Sequence, residues 1–157
     1  MAVVEFTEIG QSISTGSRLM GLDLGSKTIG LALSDVTLMI ASPLETIKRG
    51  KFTGDAQKLE QLMDAHDVGG LVLGLPVSMD GTEGPRCQST RQFAANLLER
   101  RDCVLAFWDE RLSTAAVERV LIGDADMTRK RRAEVVDKAA AAYILQGALD
   151  ALGIRPR

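Results

Sequence analysis

Apolar and polar positions along this chain change period several times. Leu19–Leu24 and Thr28–Ser34 are short, mostly apolar runs about a glycine-bounded turn, Gly25 to Gly30, which predicts two tightly joined strands. A third run, Met39–Leu44 or slightly beyond, completes an antiparallel meander. From Asp55 to His66 the period becomes helical, with Leu59, Leu62, Met63 and His66 on one face. Gly70–Gly74 reads as a strand buried on both faces, and Leu75 to Gly84 as a loop rich in turn formers. Pro85 suits the first turn of a helix running to about Arg101, with an apolar stripe of Phe93, Ala94, Leu97 and Leu98. Val104–Trp108 is a further strand, ending in Asp109-Glu110-Arg111. Ser113 caps a helix that carries Val117, Val120 and Leu121 and stops at Gly123. Gly123 to Arg132 reads as a charged, mobile loop. The last helix, about Ala133 to Ala151, is rich in alanine, so it can lie close against a sheet.

This order predicts an α/β fold: a five-stranded mixed sheet, three strands antiparallel and two parallel, with helices on both faces. One domain spans residues 18–153, behind a flexible extension at residues 1–17 whose Gly, Ser, Thr and Gln bury little. The 157 residues, 45% hydrophobic and 25% charged, suit a single soluble domain. No apolar run approaches the roughly 20 residues of a membrane helix, and Met1 to Ser17 lacks the pattern of a signal peptide. The expected location is the cytoplasm, and no membrane partner is expected. Cys87 and Cys103 have no metal-like spacing and read as free, buried thiols. His66, the single histidine, reads as a helix-end residue. A net charge of −2 argues against broad coating of nucleic acid. It leaves room for local basic patches at Lys48, Arg49 and Lys51, at Arg100 and Arg101, and at Arg129, Lys130, Arg131 and Arg132. Monomer and homodimer both remain open.

The chemistry centres on Asp23. It stands near the end of an otherwise apolar strand, with Gly21 and Gly25 on either side. A carboxylate there is costly unless it binds something, although capping of the hairpin turn is the plainer alternative. In an open α/β sheet, ligands gather at strand ends. Asp109 and Glu110 end the last strand, and Glu134 and Asp137 share a face of the final helix. Converging carboxylates of this kind suit hard divalent cations with oxygen ligands. Taken singly, Asp137 is also explained by the helix dipole, and Asp109 or Glu110 by pairing with Arg111.

Four segments together resemble the YqgF family, also called RuvX, in the RNase H-like superfamily beside the RuvC resolvases. They are Gly21 to Gly30; Val72-Leu73-Gly74-Leu75-Pro76 with Asp80 to Pro85; Asp109-Glu110-Arg111-Leu112-Ser113-Thr114; and Asp137 to Leu145. The likeness runs from about Arg18 to Gly153. It implies an RNase H-like fold and a metal-dependent nuclease. Such nucleases are described as Holliday junction resolvases or as maturing the 5′ end of pre-16S rRNA, so the implied partner is an rRNA precursor or a DNA junction. Carried over by motif, the catalytic and metal-binding acids are Asp23, Glu110 and Asp137, with Mg²⁺ or Mn²⁺ as one or two ions. Asp109, Glu134 and Asp80 remain as substitutes for Glu110.

Two departures stand out. RuvC-like enzymes carry their second acid after the fourth strand, where this chain has Gly74-Leu75-Pro76. Glu110 follows the fifth strand and must reach across the sheet. Lys27 stands where many relatives have arginine, a point charge in place of a fork. Lys27 and Arg111 are expected on phosphates, Arg129 to Arg132 on the nucleic acid, and the amides of Gly81 to Pro85 either at a phosphate or simply at a helix entry. Three rivals remain: a phosphotransferase, which needs a second domain to close over nucleotide; a non-catalytic nucleic-acid-binding factor on the same fold; and a partner-binding role using Trp108 or Met127.

Overall fold

The structure, a computed structural model, describes residues 2–5, 8–110 and 129–153, with 129–137 described by their backbone. Among the described residues six strands form one sheet: β1 (Ala2–Val3), β2 (Arg18–Leu24), β3 (Thr28–Ser34), β4 (Ala41–Lys48), β5 (Val68–Leu75) and β6 (Val104–Asp109). The helices are α1 (Ile9–Ser12), α2 (Phe52–Ala65), α3 (Pro85–Arg100) and α4 (Arg129–Gly153). Sheet order is β1-β6-β5-β2-β3-β4. The β2-β3-β4 meander is antiparallel, while β5 runs parallel to β2 and β6 parallel to β5. The expected five strands are all present. The sixth comes from residues 1–17, where Ala2 and Val3 pair with Val104 and Leu105. Ile9 of the same stretch is fully buried on the sheet.

Alternation along the strands separates two cores. Met20, Leu22 and Leu24 of β2 and Leu71 and Leu73 of β5 meet Leu59 and Met63 of α2 and Phe93 and Leu97 of α3. On the opposite face, Leu19, Val72, Ala106 and Trp108 meet Ala141, Ile144, Leu145 and Leu149 of α4. Trp108 is therefore a core residue. Cys87 and Cys103 are free and buried.

Element ends differ from the sequence pattern for local reasons. The third strand begins at Ala41 because the Asp35 carboxylate accepts the amides of Met39 (2.8 Å) and Ile40 (3.1 Å) and a bond from the Thr37 hydroxyl. Those donors are thereby lost to the ladder. The same bonds hold the Asp35 carboxyl down at about 2. Helix α2 starts three residues early because buried Asp55 reaches back to the Gly50 amide (3.1 Å) and fastens the first turn from within. His66 caps the far end, its amide bonding the Leu62 carbonyl. Arg129 to Arg132, expected in a loop, form the first turn of α4, in keeping with the helix propensity of Arg and Lys. The expected helix from Ser113 to Gly123, the rest of the expected loop to Arg132, and Met127 lie outside the described residues. No helix among the described residues is long and apolar enough to cross a membrane.

Among the described residues, strand β4 is the outer strand on its side of the sheet. It carries Pro43 opposite Ala32, beside a bulge between Leu31 and Ala32.

Helix α4 lies very close to β2, as its alanines predicted. A methyl group on Gly21 would sit 2.8 Å from Leu145 Cβ and 2.9 Å from the Ala141 carbonyl oxygen. One of those neighbours is backbone, so the overlap cannot be relieved by rotating a side chain. Gly21→Ala should therefore destabilise the fold by about 1–3 kcal/mol, a loss of roughly 2–4 °C in Tm per kcal/mol at this size. Urea melts of the two proteins check this, and matching midpoints would refute the close approach.

Candidate active site at the strand ends

Strands β2, β5 and β6 run parallel, so their carboxyl ends share one edge of the sheet. Asp23 lies one residue before the end of β2, paired across the ladder with Gly30. The strand alternates, with Leu22 and Leu24 facing α2 and α3, so Asp23 points to the α4 side. Glu110 directly follows β6. Between β6 and β2 stands β5, a separation of roughly 10 Å across two strand spacings. The Glu110 side chain nevertheless hydrogen-bonds Asp23.

Gly74 makes that reach possible. A Cβ built there would fall 2.8 Å from Glu110 Oε1, 2.9 Å from Glu110 Cγ and 2.5 Å from Ile144 Cδ1. Any side chain at position 74 would occupy the path that Glu110 follows. The strand end that lacks an acid thus serves as the channel through which the acid of the next strand arrives.

Burial, the hydrogen bond to Asp23 and the charge of Asp23 push the Glu110 carboxyl up to about 8; Arg86 opposes the shift and Asp109 adds to it. Two carboxyls in contact cannot both ionise cheaply, so near neutral pH the pair shares a proton. All the donors are hard oxygens, and a divalent cation in place of that proton would relieve the repulsion. The donor set therefore fits Mg²⁺ or Mn²⁺. Among the described residues no three acidic, histidine or cysteine side chains form one metal-binding group.

Helix α4 runs antiparallel to β2. Its Gln146 bonds the Ala41 amide at the start of β4 (2.8 Å), whereas its Ala141 carbonyl faces Gly21. From Ala141 back to Asp137 is about 6 Å along the helix, and from Gly21 on to Asp23 is about 6.6 Å along the strand. The Asp137 backbone accordingly lies level with Asp23. The side chains of Asp137, Glu134 and Arg129 to Arg132 lie outside the described atoms, as does Arg111 entirely.

Lys27 is exposed in the β2–β3 turn, where its carbonyl accepts the Arg49 amide (2.9 Å). Asp80 is engaged in its own turn, accepting the Thr82 amide (3.0 Å) and hydroxyl (2.7 Å). Asp109 is the last residue of β6 and pairs with Leu75. Two contributors were not singled out from the pattern. In the sequence Gly74 reads as the end of an apolar strand that lacks the acid of RuvC-like enzymes, with no sign that another side chain would cross it. Arg86, in the first turn of α3, lacked a signal beyond its place after Gly84-Pro85.

The architecture is an RNase H-like fold. Over 86% of this chain and 94% of the other, it matches Thermus thermophilus RuvC in complex with a Holliday junction substrate, at a TM-score of 0.54 and 14% identity. The RuvX family profile, described as Holliday junction resolvase, matches residues 17–151, and the chain belongs to that family. A protein from Paramagnetospirillum magneticum named "Putative pre-16S rRNA nuclease" is 65% identical over 96% of both chains. One of the same name from Rhodospirillum rubrum is 62% identical over 97% of this chain and 94% of its own.

The raised Glu110 pKa sets a pH signature. As pH climbs from about 4.5 to about 8, the unfolded chain releases a proton that the folded chain keeps, so this group's contribution to stability falls through that window. Glu110→Gln removes the titration. In EDTA the variant should melt above the wild type at pH 8, and the gap should close as pH approaches 4.5. Differential scanning calorimetry at both pH values tests this; parallel pH curves would refute the shared proton.

Proposed function

We propose that this chain is a metal-dependent nuclease that hydrolyses phosphodiester bonds in structured nucleic acid, maturing the 5′ end of pre-16S rRNA in the cytoplasm. The observation that carries the reading is the contact of Asp23 and Glu110 over Gly74. Two acids distant in sequence meet at the strand ends of a fold shared with a junction resolvase. The RNA substrate is supported by near full-length relatives that bear that name.

Asp23, Glu110 and Asp137 are the residues that hold one or two Mg²⁺ or Mn²⁺ ions. A bound ion supplies positive charge at the scissile phosphate and eases deprotonation of water. The chain supplies the rest. The β2–β3 ladder fixes Asp23, the cleared space at Gly74 positions Glu110, and the close seat of α4 on Gly21 brings the Asp137 turn to the same level. Lys27 and Arg111 contact the phosphate backbone, and Arg129, Lys130, Arg131 and Arg132 grip nucleic acid beyond the cut.

A second reading, resolution of four-way DNA, is favoured by the description of the matching family. One experiment separates the possibilities. Purified protein is incubated with precursor rRNA bearing its 5′ extension and with four-way DNA junctions, in Mg²⁺, Mn²⁺ or EDTA. The expected result is metal-dependent cleavage of the RNA, with Asp23→Asn lowering the rate by about 10²–10³-fold or more. Cleavage of the junction alone selects the resolvase. Cleavage that survives Asp23→Asn or EDTA overturns the site. Binding without cleavage under any of these conditions leaves a nucleic-acid-binding factor.

A further inference from the structure

A cleft of about 240 Å³ opens between the turn after β2 and the first turns of α3. Arg49, Arg86, Ser26, Ser89, Thr90 and Gly25 are among the residues that line it. We propose that this cleft is a phosphodiester subsite, in which Arg49 and Arg86 clamp the sugar–phosphate backbone next to the scissile bond. The inference rests on the nuclease reading and extends it to residues outside the acid set.

Charge pairing separates these two arginines from their neighbours. Arg91, Arg100 and Arg101 are each held by a carboxylate, Glu83 (2.7 Å), Glu60 (2.9 Å) and Asp64 (2.6 Å) respectively. Among the described residues no carboxylate forms an ion pair with Arg49 or Arg86. Two guanidinium groups facing one cleft repel each other until an anion enters, and a phosphate oxygen pair matches the guanidinium fork.

The clamp is partly preset. Arg49 Nη1 donates to the Gly25 carbonyl (2.7 Å), its amide bonds the Lys27 carbonyl (2.9 Å), and its guanidinium lies 5.7 Å from the Phe93 ring centre. The Thr90 hydroxyl bonds the Arg86 carbonyl (2.9 Å) within α3. Gly84 and Pro85 open α3 without a capping side chain, so the Arg86 amide has no acceptor in the helix and faces outward. The Arg86 charge also acts on the Glu110 carboxyl, which locates this cleft within electrostatic reach of the acids.

The test is binding without cleavage. Fluorescein-labelled stem-loop RNA from the 5′ end of precursor rRNA, and four-way DNA of equal charge, are titrated in EDTA across a range of salt by anisotropy. Arg86→Gln and Arg49→Gln should each reduce the slope of log K against log salt by about 1 and weaken binding by about tenfold at 0.1 M salt. Arg86→Lys and Arg49→Lys should restore much of the slope, because the charge survives. Arg100→Gln, whose partner is Glu60, should leave it unchanged. An Arg86→Gln protein with the wild-type slope, or a wild type that binds neither probe, overturns the subsite. If the slope falls as expected but Mg²⁺ elicits no cleavage, the nuclease reading fails and the subsite stands. Equal effects on both probes identify the shared backbone as the ligand, and an effect on one assigns the cleft to that nucleic acid.

Discussion

Two carboxyl groups held in contact are the constraint around which this molecule is arranged. Left alone they repel, and burial makes the repulsion worse. The fold accepts this because neither group can retreat. Asp23 is fixed by its pairing with Gly30 across the β2–β3 ladder, and Glu110 is threaded over a glycine by the end of β6. Strain of this kind persists where surrounding structure over-determines the geometry, and it is concentrated at sites of function.

The rest of the architecture serves that placement. The two cores on opposite faces of the sheet fix β2, β5 and β6 in register, so their carboxyl ends stay aligned. The absence of side chains at Gly21 and Gly74 matters in two different ways. At Gly21 it lets α4 descend onto the sheet until its backbone touches the strand. At Gly74 it leaves a path for a side chain that starts on the neighbouring strand.

Much of this was legible in the sequence because the apolar periods are strong. The meander, both parallel strands and the stripe of Phe93, Ala94 and Leu97 follow from burial alone. Asp23 was legible because a carboxylate in an apolar strand contradicts its surroundings. Element ends were less so, since Asp35 and Asp55 act through bonds to amides that periodicity does not register. Residues 1–17 read as a flexible extension for a similar reason: a two-residue strand and Ile9 have no period to detect. The Asp23–Glu110 contact needed coordinates, because nothing in the string Gly74-Leu75-Pro76 says that its emptiness will be filled from elsewhere. Arg86 was hidden by its ordinary setting on an amphipathic helix.

Strand β4 has a consequence of another kind. Its outward row of amides and carbonyls is a template on which a foreign strand could grow. Proline at position 43 removes one donor from that row, and the neighbouring bulge twists the row out of true. Among the described residues the sheet is thereby terminated chemically as well as spatially, and its edge is a poorer template for a second copy than an unbroken strand would be.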